Sequence, residues 1–175
     1  MMSKAAVKWV ISDAHFGHFN ILSYCNRPFK CTEEMDETII QNWNNTVSND
    51  DTVYFLGDFA FGKGSKQKLI EYLPRLKGEI ILIKGNHDRE TTTWYKRHGV
   101  SEVYGGEYYK YKPYVILSHR PYPIKAPYIN VHGHIHNLQS LEPRNVYVNV
   151  SVEAIDYTPI DLDLLIERMR RGEYL

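Results

Sequence analysis

An α/β fold with a mixed sheet is predicted by three features of this 175-residue chain. Short apolar runs with a β-branched or aromatic bias recur along its length, helix-period patterns alternate with them in the first half, and strands dominate the second half. The length is that of one ordinary domain, and 43% apolar residues suffice for a single core. No Gly/Ser linker, Pro-rich segment, charge block or internal repeat marks a boundary, so residues 1–175 are read as one domain.

The elements follow in order. Val7 to Ile11 reads as the first strand. Glu33 to Val47 places Met35, Ile39, Trp43 and Val47 at four-residue steps, the core stripe of a helix, with Thr32 as its candidate N-cap. Thr52 to Leu56 is a second strand, and Lys66 to Leu73 a second helix, with Ser65 as candidate cap and Pro74 as its stop. Ile80 to Ile83 is a third strand, followed by a weaker helix from Glu90 to His98 before Gly99, which leaves His98 solvated near its end. Glu107 to Leu117 reads as a hairpin arm containing the strand Tyr114 to Leu117. Tyr128 to Val131 and Val146 to Val152 bring the strands to six, and Leu162 to Arg171 closes the chain as a helix with basic residues in its last turn and Gly172 after it.

Charge and composition exclude several classes. Twenty-one Lys plus Arg balance twenty-one Asp plus Glu, so no global field favours a long polyanion and strong binding to extended nucleic acid is not expected. Cys25 and Cys31 are too few to staple a chain of this length and are read as thiols, which fits a reducing, cytoplasmic setting. Met1 to Lys8 lacks the apolar core of a signal peptide, and no run approaches the roughly 18 apolar residues of a spanning helix, so no membrane partner is expected. Eight histidines are the unusual feature, because imidazole is the commonest metal ligand and the usual acid or base near neutral pH.

Five of the apolar runs end directly in ligand-type residues. Val10-Ile11 leads to Asp13 and His15, Phe55-Leu56 to Gly57-Asp58, and Leu82-Ile83 to Gly85-Asn86-His87-Asp88. Ile116-Leu117 leads to Ser118-His119, and Asn130-Val131 to His132-Gly133-His134-Ile135-His136. Ligands of α/β sheets bind beyond the carboxyl ends of strands, so five such ends can converge on one rim. If the backbone stays extended there, Asp13 with His15, and His134 with His136, point to one side. Gly57, Gly85 and Gly133 permit tight turns and close backbone approach. Carboxylate, carboxamide and imidazole together suit Mn, Fe, Zn, Co or Ni, and this many ligands implies two ions.

Asp13-x-His15, Gly57-Asp58, Gly85-Asn86-His87-Asp88, Ser118-His119 and Gly133-His134-x-His136, in this order, resemble the five signature blocks of the calcineurin-like metallophosphoesterases. Any one block is an ordinary surface turn; five in order, each after a predicted strand, are specific. The resemblance implies an α/β/β/α sandwich of two mixed sheets flanked by helices, with a dinuclear metal site at one edge. It assigns Asp13, His15 and His136 to one ion and Asn86, His119 and His134 to the other, with Asp58 bridging. His87 becomes the general acid or transition-state stabiliser, oriented by Asp88. The implied activity is hydrolysis of a phosphomonoester or phosphodiester by in-line attack of a metal-bridging hydroxide, with Mn²⁺ the leading expectation and Fe, Zn, Ni, Co or Mg the alternatives. A nuclease or cyclic-nucleotide phosphodiesterase on the same site, and a non-catalytic interaction scaffold, are the competing readings. Every ligand position here holds a competent residue, which weighs against the scaffold.

The longer first block, Phe16-Gly17-His18-Phe19-Asn20 with Arg27-Pro28-Phe29 and Met35-Asp36, resembles small bacterial and phage-encoded members of that superfamily. His18, Arg27 and Arg120 are the candidate contacts to a small phosphate-ester or nucleotide substrate. His132 shares the parity of His134 and His136, but a packed or supporting role is favoured for it. The tyrosines from Tyr104 to Tyr128 read first as hairpin packing, with a nucleobase pocket or a homodimer contact as the further alternatives.

Overall fold

The computed structural model describes residues 5–139 and 141–175. The beginning of the Met1 to Lys8 stretch, read above for a leader, lies outside them. In chain order the elements are β1 (Lys8–Ile11), α1 (Ile21–Tyr24), α2 (Thr32–Thr46), β2 (Thr52–Phe55), α3 (Ser65–Tyr72), β3 (Glu79–Ile83), α4 (Thr92–Arg97) and β4 (Val100–Tyr104). There follow β5 (Tyr109–Lys112), β6 (Val115–Ser118), β7 (Ile129–His132), β8 (Tyr147–Asn149), β9 (Ile160–Asp161) and α5 (Leu162–Arg170).

Two mixed sheets result. The first has the order β4-β3-β2-β1-β9, with β1 to β4 parallel and β9 antiparallel to β1. The second has the order β5-β6-β7-β8; β5 pairs antiparallel with β6 as the predicted hairpin, and β6, β7 and β8 run parallel. Central strands β6 and β7 are buried at every position, as continuous apolar runs in covered sheets must be. Tyr54 of β2 meets Tyr109 and Tyr111 of β5 at ring distances of 5.8 and 5.2 Å, which joins the sheets at one flank. The helix stripe is where its periodicity puts it: Met35, Ile39 and Trp43 are fully buried, and Trp43 stacks on Phe55. On α5, Leu162, Leu165, Ile166 and Met169 form the buried face. Among the described residues no helix is long and apolar enough to cross a membrane.

Three elements had no clear sequence signal. β9 has two residues and α1 four, too short for a period to register, and β4 exposes Ser101 and Glu102 at the sheet edge. The cap positions also differ from expectation. Thr32 and Ser65 are the first helical residues, and Cys31 and Gly64 hold the cap positions with no side-chain cap bond. Side-chain caps occur instead at Thr91, which accepts from Trp94 N at 3.1 Å, and Asp161, which accepts from Leu164 N at 3.0 Å. The last predicted strand stops early, at Asn149, because the Asn149 side-chain oxygen accepts from Ser151 N (3.1 Å) and Ser151 Oγ (2.8 Å) and turns the chain.

Candidate metal centre

The ends of β1, β2, β3, β6 and β7 converge at one rim, but not through extended backbone. Asp13, His15, Asp58, His134 and His136 all have positive φ, between 51° and 70°. The same-face argument for Asp13 with His15 and for His134 with His136 is therefore corrected: both pairs sit on left-handed turns beyond the strands. Such a conformation costs a residue with a side chain about 1 to 2 kcal/mol, so the surroundings must impose it. Asp13 N donates to Gly57 O (3.0 Å), His15 N to Asp58 O (3.1 Å), and His134 N to Asp13 Oδ2 (2.8 Å). Two glycines allow this closeness. A Cβ on Gly85 would collide with Asp58 Oδ1, and one on Gly133 with Ser12 Oγ and Asp13 Oδ2. His132 ends β7 instead of joining the turns; it is buried, with Nδ1 donating to Gly133 O at 2.9 Å, and takes the packed role.

One group of side chains is Asp13, His15 and His136, whose ligand-type atoms lie within 4.8 Å of one another. Asp13 Oδ2 accepts from His134 N and from Ser151 Oγ (3.0 Å), whereas Oδ1 has no hydrogen-bond partner among the described residues. Both ring nitrogens of buried His15 also lack one. His15 Nε2 and His136 Nε2 stand 3.9 and 4.0 Å from Asp13 Oδ1. His136 Nδ1 lies 3.0 Å from Glu153 Oε1, so Nδ1 donates to that carboxylate and Nε2 is the nitrogen turned to the group.

Asp58, His119 and His134 form the other group, within the same 4.8 Å limit. His119 Nδ1 is 2.8 Å from Leu56 O, a carbonyl that can only accept, so Nε2 carries the lone pair. That nitrogen faces Asn86 Oδ1 at 3.0 Å, His134 Nδ1 at 3.1 Å and Asp58 Oδ2 at 3.5 Å. Asp58 Oδ1 accepts from His87 N at 2.8 Å, while Oδ2 is also 3.5 Å from His15 Nε2 and so stands between the groups.

Buried lone pairs facing one another without protons between them are unfavourable unless a cation joins them, and the orphaned Asp13 Oδ1 and His15 nitrogens show that this donor set fits divalent metal. The electrostatics agree. Burial pushes the His15 pKa far down, and burial with neighbouring His119 and Arg120 lowers His134 to about 4, leaving both imidazoles neutral. Burial lifts the Asp58 carboxyl to about 7; His119 opposes that rise and the nearby Asp13 charge adds to it. His136 is the exception. Burial opposes its charge, but contacts with Cys25 and Glu153 and the field of Asp13 raise it to about 10.

The supporting residues do not all act where the sequence placed them. Arg27 is no substrate contact: its side chain is fully buried, Nη1 donates to Ala14 O (2.8 Å), Nη2 to Asp13 O (2.8 Å), and Nε and Nη2 lie 2.9 and 2.7 Å from Glu153 Oε1. It anchors the Asp13 turn instead. Asp88 does not orient the His87 ring. Its carboxylate accepts from Asp58 N (2.7 Å), Gly85 N (2.8 Å) and Phe59 N (3.2 Å), binding two ligand turns together, and the Tyr95 hydroxyl donates to it at 3.3 Å. His87 is held by Phe61, ring to ring at 4.2 Å, with Nε2 3.9 Å from Asp58 Oδ2, and burial lowers its pKa. His18 lies beside the first group, 5.7 Å from the His15 ring, its pKa lowered to about 4 by burial and by Arg27. Arg120 is exposed and donates to Asn86 Oδ1 at 3.2 Å. Glu153 was missed by sequence reasoning, although the sixth apolar run, Val146 to Val152, ends in it just as the other runs end in ligand-type residues.

The chain resembles known proteins along nearly its whole length. An uncharacterized protein of Methanocaldococcus jannaschii is 40% identical over 173 residues, covering 94% of this chain and 92% of that protein. The gene 66 protein of Mycobacterium phage L5 is 36% identical over 81 residues, 46% of this chain and 39% of the phage protein. A solved structure of a protein of unknown function from Aquifex aeolicus superposes with a TM-score of 0.71 at 27% identity, covering 93% of this chain and 98% of that one. The calcineurin-like phosphoesterase family matches residues 8–171, a span that holds both sheets and every turn converging on the rim. By that match the chain belongs to the calcineurin-like phosphoesterases.

Proposed function

We propose that this single-domain chain hydrolyses a small phosphate ester using two divalent ions, one held by Asp13, His15 and His136 and the other by Asn86, His119 and His134, with Asp58 shared. The observation that carries the reading is Asp58 Oδ2, a buried carboxylate oxygen 3.5 Å from both His15 Nε2 and His119 Nε2. Mixed imidazole, carboxylate and carboxamide donors accept Mn²⁺ first, with Fe, Zn, Ni, Co or Mg as alternatives. Two such ions, when bound, supply Lewis acidity toward phosphoryl oxygens and acidify a water for attack on phosphorus.

The chain's own residues do the rest. Asp88 and Arg27 fix the turns that present Asp58 and Asp13. Glu153 holds the His136 proton on Nδ1, so that Nε2 faces inward. His87, partly exposed beside Asp58, donates a hydrogen bond to a phosphoryl or leaving oxygen, and the Phe61 ring keeps it in that orientation. Two free thiols, Cys25 and Cys31, fit a reducing, cytoplasmic compartment. The test is reconstitution of apoprotein with Mn²⁺, Ni²⁺, Zn²⁺ or Mg²⁺, followed by assay of p-nitrophenyl phosphate, bis-p-nitrophenyl phosphate and a 2′,3′-cyclic nucleotide. Turnover of at least one ester, dependent on bound metal, is expected. Two bound ions without turnover of any would make the protein a non-catalytic scaffold.

A further inference from the structure

Two clefts border the centre, and consecutive residues line them. Asn86 and His119 line an open cleft of about 520 Å³, whose further walls include Lys84, Arg120 and Tyr122. His87 lines a second cleft of about 260 Å³, together with Phe61, Arg89 and the Lys66–Glu90 ion pair (2.9 Å). A phosphoryl group held at Asn86 and His87 therefore has an opening on each side.

The clefts are furnished alike. Each has a half-buried aromatic ring in its wall: Tyr122 in the first, 4.6 Å from Tyr108 and fixed through its backbone N–H to Asn130 Oδ1 (2.7 Å), and Phe61 in the second, with the His18 and His87 rings at 4.5 and 4.2 Å. Each also offers an exposed arginine with donors to spare. Arg120 has its one bond to Asn86, and Arg89 has no hydrogen bond or ion pair among the described residues. A monoester has one organic arm and would leave one aromatic face and one arginine unused. Aromatic planes beside cationic donors recognise nucleobases and their phosphates, and the chain's zero net charge fits a short ligand rather than a long polyanion.

We propose that the preferred substrate is a short nucleotidyl phosphodiester, one arm stacking on Tyr122 beside Arg120 and the other on Phe61 beside Arg89. This rests on the phosphoesterase reading and narrows it. Hydrolysis forms one P–O bond from water and breaks the ester P–O bond; the departing oxygen keeps the electron pair and takes a proton, giving a phosphomonoester and an alcohol.

The test uses the full chain loaded with Mn²⁺ and three esters sharing one leaving group: p-nitrophenyl phosphate, methyl p-nitrophenyl phosphate and thymidine 5′-(p-nitrophenyl phosphate). The thymidine diester should exceed the methyl diester in kcat/KM about tenfold or more, since stacking of one base is worth that much. Tyr122→Leu should abolish that preference if the base stacks there, or lower kcat/KM for both diesters alike if the nitrophenyl group does; Phe61→Leu, which removes a ring that also orients His87, is read by binding alone. Binding of dithymidine phosphorothioate, read by calorimetry, should weaken about tenfold in each variant. Equal kcat/KM for the two diesters, or preference for the monoester, overturns the two-arm site while leaving the phosphoesterase reading intact. Turnover of none of the three with two ions bound removes that reading and this inference with it.

Discussion

Around Asp13 and His15 the protein is closed, with exposures of 0% and 3%, whereas around Asn86 and Arg120 it opens to solvent. The closed half is bonded in depth. Arg27 ties the Asp13 and Ala14 carbonyls to Glu153, Glu153 holds His136, Asn149 Nδ2 donates to His136 O at 2.7 Å, and Asp36 accepts from Gly17 N at 3.0 Å behind the His15 turn. In the open half His119 is fixed by Leu56 O, but among the described residues the Asn86 side-chain oxygen meets only His119 and the exposed Arg120. On the proposed reading, the bonded half is the one preorganised to hold an ion, and the other is open to solvent. Asp58 is the member the halves share.

Removing the shared carboxylate breaks the comparison altogether. Asp58→Ala should lose both ions on gel filtration, as read by metal analysis, with turnover down at least about a thousandfold. His87→Ala should keep two ions and lose about 10² to 10⁴ in kcat. Equal metal loss in these two variants would contradict the assigned roles. Finer cuts separate the halves. Glu153→Gln should weaken the tighter of two titrated Mn²⁺ affinities by about 10- to 100-fold, whereas Asn86→Ala should weaken only the looser one. Reversal of that pattern would mean that the open half holds the resident ion.

The smallest effect lies behind the closed half. Burial raises the Asp36 carboxyl from 3.8 to about 6, partly offset by the Gly17 hydrogen bond and the Lys68 charge. The folded state therefore holds a proton that the unfolded chain releases near pH 4. The contribution of Asp36 to stability falls as pH rises from about 4 to about 6, then stays constant. Asp36→Asn can still accept from Gly17 N and lacks this titration. Its melting temperature relative to the parent should climb across that window and level off, reflecting at most about 3 kcal/mol. A difference independent of pH would exclude this origin.

Which residues converge and how they converge are unequally legible in the sequence. The convergence of Asp13, Asp58, Asn86, His119 and His134 could be read from apolar runs ending in ligand-type residues, because burial of a strand is written locally in its composition. The way they converge could not. Left-handed turns at Asp13, His15 and His134 are held by bonds to residues 40 or more positions away, such as Asp13 N to Gly57 O, so local alternation does not give their geometry. Arg27 and Asp88 were misplaced for the same reason. Which charged side chains are buried is not written locally, and Arg27, read as a substrate contact, and Asp88, read as orienting His87, both turn inward to satisfy backbone groups of the ligand turns. The clefts escaped notice because Asn86 and His87, adjacent in the chain, face different openings.

On the proposed reading, one carboxylate oxygen of Asp58 joins two ion sites, and electron paramagnetic resonance during Mn²⁺ titration of the apoprotein tests this most directly. The first equivalent should give an isolated-ion spectrum, and the second should replace it with the exchange-coupled spectrum of ions about 3.5 to 4 Å apart. Two equivalents that give only additive, uncoupled signals, or saturation at a single equivalent, would contradict the shared role of Asp58.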